Sequence, residues 1–176
     1  MIVSISIAKR CPRSRVFSCE PLPQSRELFQ ENMRLNDVSN IEILPVAVGA
    51  EHRRVSVALD DKGEPGDFSL VSSDETSTGD LEIEFIPFEE VIEACGGSCD
   101  FVKIDCEGGE FEIVLKSSDQ ALRSVRHFAM EYHDFEGSEF SHNDLVVRLQ
   151  ELGFSVNTKA NPVHKHLGFL FATRKD

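Results

Sequence analysis

In Phe101-Val102-Lys103-Ile104-Asp105-Cys106-Glu107-Gly108-Gly109-Glu110, an apolar run passes into a helical pattern through a cluster of acids and glycines. Phe101 to Ile104 predicts a central strand, and Glu110 to Leu115 places Phe111, Val114 and Leu115 on one face of a helix. Gly108 and Gly109 let the turn take positive φ or come close to a ligand. Asp105 and Glu107 would then stand over the edge of a sheet. A plain strand-to-helix turn with capping acids uses the same residue types, so this stretch by itself leaves both readings open. Lys103 lies inside the predicted strand, where an unpaired charge is costly, and is expected to pair with an acid or to reach solvent along its stem.

Outward from this turn, short β-branched runs alternate with helical patterns. Arg15 to Cys19 predicts a strand ending at Glu20-Pro21. Pro23 suits the first turn of a helix whose Leu28, Phe29, Met33 and Leu35 form a buried stripe. Ile41 to Val48 predicts a second strand, stopped by Gly49. From Arg54 to Phe85 the period becomes two, with Val55, Val57 and Leu59 on one side of a polar stretch and Leu81, Ile83 and Phe85 on the other. Phe88 to Cys95 predicts a short helix closed by Gly96-Gly97, and Val125 to Tyr132 another strand. Ser141 and Asp144 form a capping box ahead of Leu145, Leu149 and Leu152. Phe154 to Val156 and Leu167 to Ala172 predict two closing strands around a turn with Asn161-Pro162.

This order predicts an α/β fold: one domain over residues 1–176, with a mostly parallel sheet, a C-terminal antiparallel strand pair and a β/loop insertion at about 54–86. Ligands of such sheets bind at the carboxyl ends of the strands. Glu20, Gly49, Asp105, Glu107 and His133 fall there. An acid ending the second strand of a nucleotide-binding unit can accept two hydrogen bonds from a ribose diol, which makes Glu20 a candidate, with a helix-start carboxylate as the rival role.

The formal net charge of −13 repels phosphate backbones and argues against nucleic-acid binding. Met1 to Ala8 is apolar but too short to span a bilayer, and no export signal precedes it, so no membrane partner is expected. Five cysteines in such a chain predict free thiols in the cytoplasm. Cys95, Cys99 and Cys106, with His164 and His166, lack the paired spacing of a zinc site, and no metal site is expected.

The order Phe17-x-x-Glu20-Pro21, Leu35-Asn36, Asn40-x-Glu42, Val46-Ala47-Val48-Gly49, Val102-Lys103-Ile104-Asp105-x-Glu107-Gly108-x-Glu110 and Glu131-Tyr132-His133 resembles the FkbM family of S-adenosylmethionine-dependent methyltransferases over roughly residues 1–157. The resemblance implies a Rossmann-like methyltransferase fold that methylates a hydroxyl of a sugar, polyketide or other small metabolite. It implies that Glu20 binds the cofactor ribose and that Ala47, Val48 and Gly49 lie near the adenine. Asp105 and Glu107 would stand beside the methionine end and the acceptor, with His133 facing the same site.

Family members also carry a strand and an Asp-x-Gly-x-Asn-x-Gly-like loop before the segment matching Met1 to Lys9, which aligns with the helix after that loop. Neither is present here. Three expectations follow: an N-terminally truncated domain, replacement of the missing first strand by the β-prone Met1 to Ala8, or a partner or second copy in a homo-oligomer filling the gap.

For methyl transfer, the acceptor oxygen must approach the methyl carbon opposite sulfur at about 3 Å, and a positioned base helps an alcohol to react. His133 is the first candidate, since an imidazole titrates near neutrality; Asp105 is the second, as base or as a group orienting the acceptor, and Glu107 could do the same or bind a divalent ion. The polar stretch from Asp60 to Asp80, with Phe68-Ser69-Leu70, would fold over substrate or remain a solvated loop. The rival functional reading is a non-catalytic binding or assembly domain, whose cofactor affinity is lost with the loop.

Overall fold

The computed structural model describes residues 2–57, 81–135 and 137–174. Leu59 and the 60–80 stretch, with Phe68, Ser69 and Leu70, lie outside the described residues.

The chain begins with α1 (Ile2–Arg10), followed by β1 (Val16–Cys19), α2 (Pro23–Leu35) and β2 (Ile41–Leu44). Ile5 and Ala8, one turn apart, bury against Phe29, Val38 and Ile41. That contact overrides the strand preference of the β-branched residues at 2–7, so this segment is a helix packed on β1 and β2 and does not replace a central strand. The expected stripe on α2 is narrower than its periodicity suggests. Phe29 is buried and Met33 partly so, but Leu28 and Leu35 are exposed, because the helix covers a sheet of only two strands.

The strand expected at 41–48 is two strands in different sheets. Pro45 separates β2 from β3 (Ala47–Gly49): with no N–H to give a ladder and a fixed φ, it turns the chain out of one sheet and into the next. β3 pairs parallel with β5 (Leu81–Pro87), which also pairs antiparallel with β4 (Arg53–Val57). After α3 (Phe88–Ala94) come β6 (Cys99–Ile104), α4 (Gly109–Lys116), a short unforeseen α5 (Asp119–Arg123) and β7 (Val125–His133). Ser118 Oγ accepts the Ala121 N–H at 3.3 Å to start α5. The chain ends with α6 (His142–Glu151), β8 (Phe154–Ala160) and β9 (Leu167–Arg174). The Ser141–Asp144 capping box is present at α6.

The third sheet has the order β6-β7-β9-β8, with β6 and β7 parallel and the closing pair antiparallel. The fold is thus α/β with mixed sheets. A mostly parallel sheet does not form, since β1–β2, β3–β5 and β6–β7 are each bordered by other sheets or by antiparallel returns. Helices α4, α5 and α6 cover one face of the third sheet, with Val114, Leu122, Leu145 and Leu149 packed on Phe128, Met130 and Leu170. On the other face Phe101, Phe169 and Phe171 are exposed. Among the described residues no helix is long and apolar enough to cross a membrane.

Candidate active site

β6 delivers Asp105 to its carboxyl end, where Lys103 Nζ meets Asp105 Oδ2 at 2.6 Å. The lysine in the strand is thereby paired, as the cost of a lone charge requires. The chain then turns sharply. Glu107 (φ 49°) and Gly108 (φ 101°) take two successive left-handed steps that point α4 back along the sheet.

This turn drops Glu110 into the core at 0% exposure. Its Oε2 accepts the Gly108 N–H at 2.9 Å. Its Oε1 accepts the His133 backbone N–H at 2.8 Å and lies 3.0 Å from His133 Nδ1. A carboxylate can only accept, so Nδ1 carries a hydrogen and donates it to Glu110. Nε2 lies 3.4 Å from Glu107 Oε2. The His133 side chain is 4% exposed and that of Glu107 70%, so the row Glu107–His133–Glu110 runs from solvent into the core. Its inner member, Glu110, stands in the stretch that opens the sequence reading. By sequence it reads as a helix-face glutamate, a position that normally points outward.

The structure therefore brings Glu107 and His133 together and sets Asp105 on the same strand end, tied to Lys103. The other candidates lie in different sheets. Glu20 follows β1, and its Oε1 accepts the Leu22 N–H at 3.1 Å, the helix-start contact. Ala47 is buried among Val55, Val57, Ile83 and Phe85, while Val48 packs against the main core. Gly49 lies so close to Arg53, Glu112 and Phe85 that a Cβ would stand 2.9 Å from Arg53 Nη1. Among the described residues, no group of three or more His, Cys, Asp or Glu side chains is placed to hold a metal ion.

The contact beside Gly49 joins the β3-β5-β4 sheet to α4. Arg53 forks onto Glu112 (2.5 and 2.8 Å), the same carboxylate accepts the Ala50 N–H at 3.0 Å, and the guanidinium lies 3.9 Å over the Phe85 ring. Burial pushes the Glu112 pKa up, but the Arg53 and Ala50 hydrogen bonds and the Arg53 and Lys116 charges outweigh it, leaving a net lowering. A lowered folded-state pKa means that the stabilisation is complete above the unfolded value and is lost as pH falls through the folded one. Arg53→Met is expected to cost roughly 1–2 kcal/mol at pH 7. In urea titrations this difference from wild type should shrink below about pH 4. A gap unchanged at pH 3 would show that the guanidinium acts through packing alone.

An acid after β6 and an imidazole oriented by a buried carboxylate at the end of the parallel β7 form an arrangement able to pass a proton at the strand ends of an α/β fold. The chain matches the Methyltransferase FkbM domain over residues 3–156 and belongs to that family. No curated protein matches it in sequence. Its fold is similar to that of methyltransferase FkbM from Methylobacillus flagellatus KT, with TM-score 0.56, 18% identity and 97% of this chain covered. The chain spans 41% of the length of that protein. It is also similar to precorrin-6y C5,15-methyltransferase from Geobacter metallireducens GS-15, with TM-score 0.55, 15% identity, and 98% of this chain and 74% of that one covered.

Proposed function

We propose that this domain transfers the methyl group of S-adenosylmethionine to a hydroxyl oxygen of a small metabolite. The observation that carries the reading is the row Glu107–His133–Glu110 at the ends of β6 and β7, in a chain of a methyltransferase family. S-adenosylmethionine, when bound, supplies an electrophilic methyl carbon. Glu20 fits its ribose: one carboxylate oxygen is anchored on the Leu22 N–H, which orients the second toward a diol. Ala47 and Gly49 are committed to packing, so any contact with adenine falls to Val48 and to backbone.

Glu107, exposed at the turn, meets the acceptor hydroxyl. The hydrogen passes through the Glu107 carboxyl to His133 Nε2 behind it as the oxygen reacts, and Glu110 stabilises the imidazolium through Nδ1. Asp105 orients the acceptor while paired with Lys103. A non-catalytic binding role is the second reading. The absence of strand pairing between the β1–β2 sheet, which Glu20 follows, and β6–β7 favours it among the described residues.

Calorimetry with S-adenosylmethionine separates the two. Wild type should bind it, and Glu20→Ala should weaken binding at least tenfold, about 1.4 kcal/mol. His133→Ala should lower methyl transfer by about 10²–10⁴ while donor affinity stays unchanged. Absence of donor binding by wild type overturns the enzyme reading, and full turnover in His133→Ala makes that residue structural.

A further inference from the structure

The outer face of the third sheet has the wrong chemistry for water. Leu170 and Ala172 on β9 are buried in the main core, which takes up the inner face. Phe169 and Phe171, which alternate with them, point the other way and are 38% and 50% exposed. An antiparallel strand with one solvated face is polar at alternate positions, whereas apolar residues on both faces mark a strand covered on both. Its neighbour β8 does alternate, with Phe154 inward and Ser155, Asn157 and Lys159 outward.

The strand register lays out what surrounds the two phenylalanines. Glu131 on β7, Phe169 on β9 and Lys159 on β8 form one row across the face. Ala129, Phe171 and Asn157 form the next, and His127 and Thr173 follow, joined at 3.1 Å through Nδ1 and Oγ1. Glu131 and Lys159 are two strand spacings apart, about 10 Å, too far to meet. Neither side chain has an ion pair or hydrogen bond among the described residues. Lys103, beside Ala129, is neutralised by Asp105. The charges of this face therefore balance, on a chain of net charge −13.

We propose that this face is an interface between two copies of the chain, related by a two-fold axis that runs along β9 between the two stacked sheets. Rotation about such an axis keeps every row at its own level and lays β8 of one copy over β7 of the other. Phe169 and Phe171 then meet their own counterparts across sheets stacked about 10 Å apart. Glu131 of each copy meets Lys159 of the other, so both charges gain the partner they lack within the chain. A partner of one charge sign would leave Glu131 or Lys159 unmatched, and a lipid surface would bury both. Phe101, on β6 beyond β7, has no strand opposite it and stays at the rim. Three facing strands, about 14 Å wide and 24 Å long, make a small interface of under about 1,200 Å² in total, and the dimer is correspondingly weak. The proposal is independent of the methyl-transfer reading.

Sedimentation equilibrium of the full chain tests it. Wild type should approach twice the chain mass at about 100 μM and fall toward the monomer at about 1 μM. Phe171→Ser should raise the dimer dissociation constant at least tenfold, while Phe101→Ser leaves it within twofold. Glu131→Lys and Lys159→Glu should each raise it at least fivefold, and the two together should return it to within threefold of wild type. Relief of net charge alone would tighten the Glu131→Lys dimer, so weakening in both single variants marks the cross pair. Circular dichroism and urea unfolding check that each variant is folded. A chain that is monomeric at about 500 μM overturns the proposal, as does a dimer that tolerates Phe171→Ser or is not restored in the double charge variant. A monomer that binds dioleoylphosphatidylcholine vesicles through Phe171 would assign the face to a lipid surface and overturn it as well.

Discussion

Glu110→Ala is expected to lower the unfolding free energy by about 3–5 kcal/mol, the range for removing one partner from a buried charged network. The carboxylate has no exposure and serves four donors: the Gly108 N–H, the His133 N–H, the His133 ring and, at 3.8 Å, the Cys106 thiol. Alanine leaves all four facing a void in the core, where each unmet amide or ring donor costs about 1–3 kcal/mol. For a domain of this size the loss corresponds to roughly 6–20 °C in Tm. Glu110→Gln should cost less, since its carbonyl can still accept from His133, but its NH₂ then opposes the Gly108 N–H. Thermal and urea unfolding of both variants measure this. His133→Ala combined with Glu110→Ala should cost less than the sum of the single changes, because the two side chains share one contact. Strict additivity would show that the pair is not coupled. A Glu110→Ala variant within 1 kcal/mol of wild type would mean that the buried carboxyl carries no net interaction.

Strand–helix alternation was legible in the chain because most elements are bounded by residues with a local mechanism. These include Pro23 at the start of α2, the Ser141–Asp144 box at α6 and the glycines after α3. Local signals failed where tertiary contacts decide. The β-branched residues at 2–7 form a helix because Ile5 and Ala8 find β1 and β2, and Pro45 divides an apparently continuous strand between two sheets. Sheet order was least legible, since nothing in β3 or β6 announces which strand will lie beside it. At the site, the tip residues Asp105, Glu107 and His133 could be named from position alone. The residues that hold them could not. Glu110 reads as a surface acid of α4 until the left-handed turn at 107–108 swings it inward, and Asp134 reads as a loop acid until α6 brings His142 back to it.

Gly168→Ala is the second change with a large expected effect, and it acts on the packing between β7 and β9. Gly168 on β9 stands opposite Tyr132 on β7, and a Cβ built there would overlap the Tyr132 hydroxyl, Cζ and Cε1. An alanine in a strand ordinarily gains about 0.5–1 kcal/mol over glycine through backbone entropy. Here overlap with a buried ring opposes that gain, and overpacking of this kind costs about 1–3 kcal/mol or more. Tyr132 cannot yield easily: it is 3% exposed and bears the His142 ring on its other surface. The net expectation is a loss of about 2 kcal/mol, with displacement of the aromatic platform under His142. On a Tyr132→Leu background, where the ring is gone, the same alanine should be nearly neutral, and a double-mutant cycle in urea reads the difference. An equal penalty on both backgrounds would locate the strain in β9 itself. No penalty on the wild-type background would show that Tyr132 moves aside freely, together with the His142 ring stacked on it.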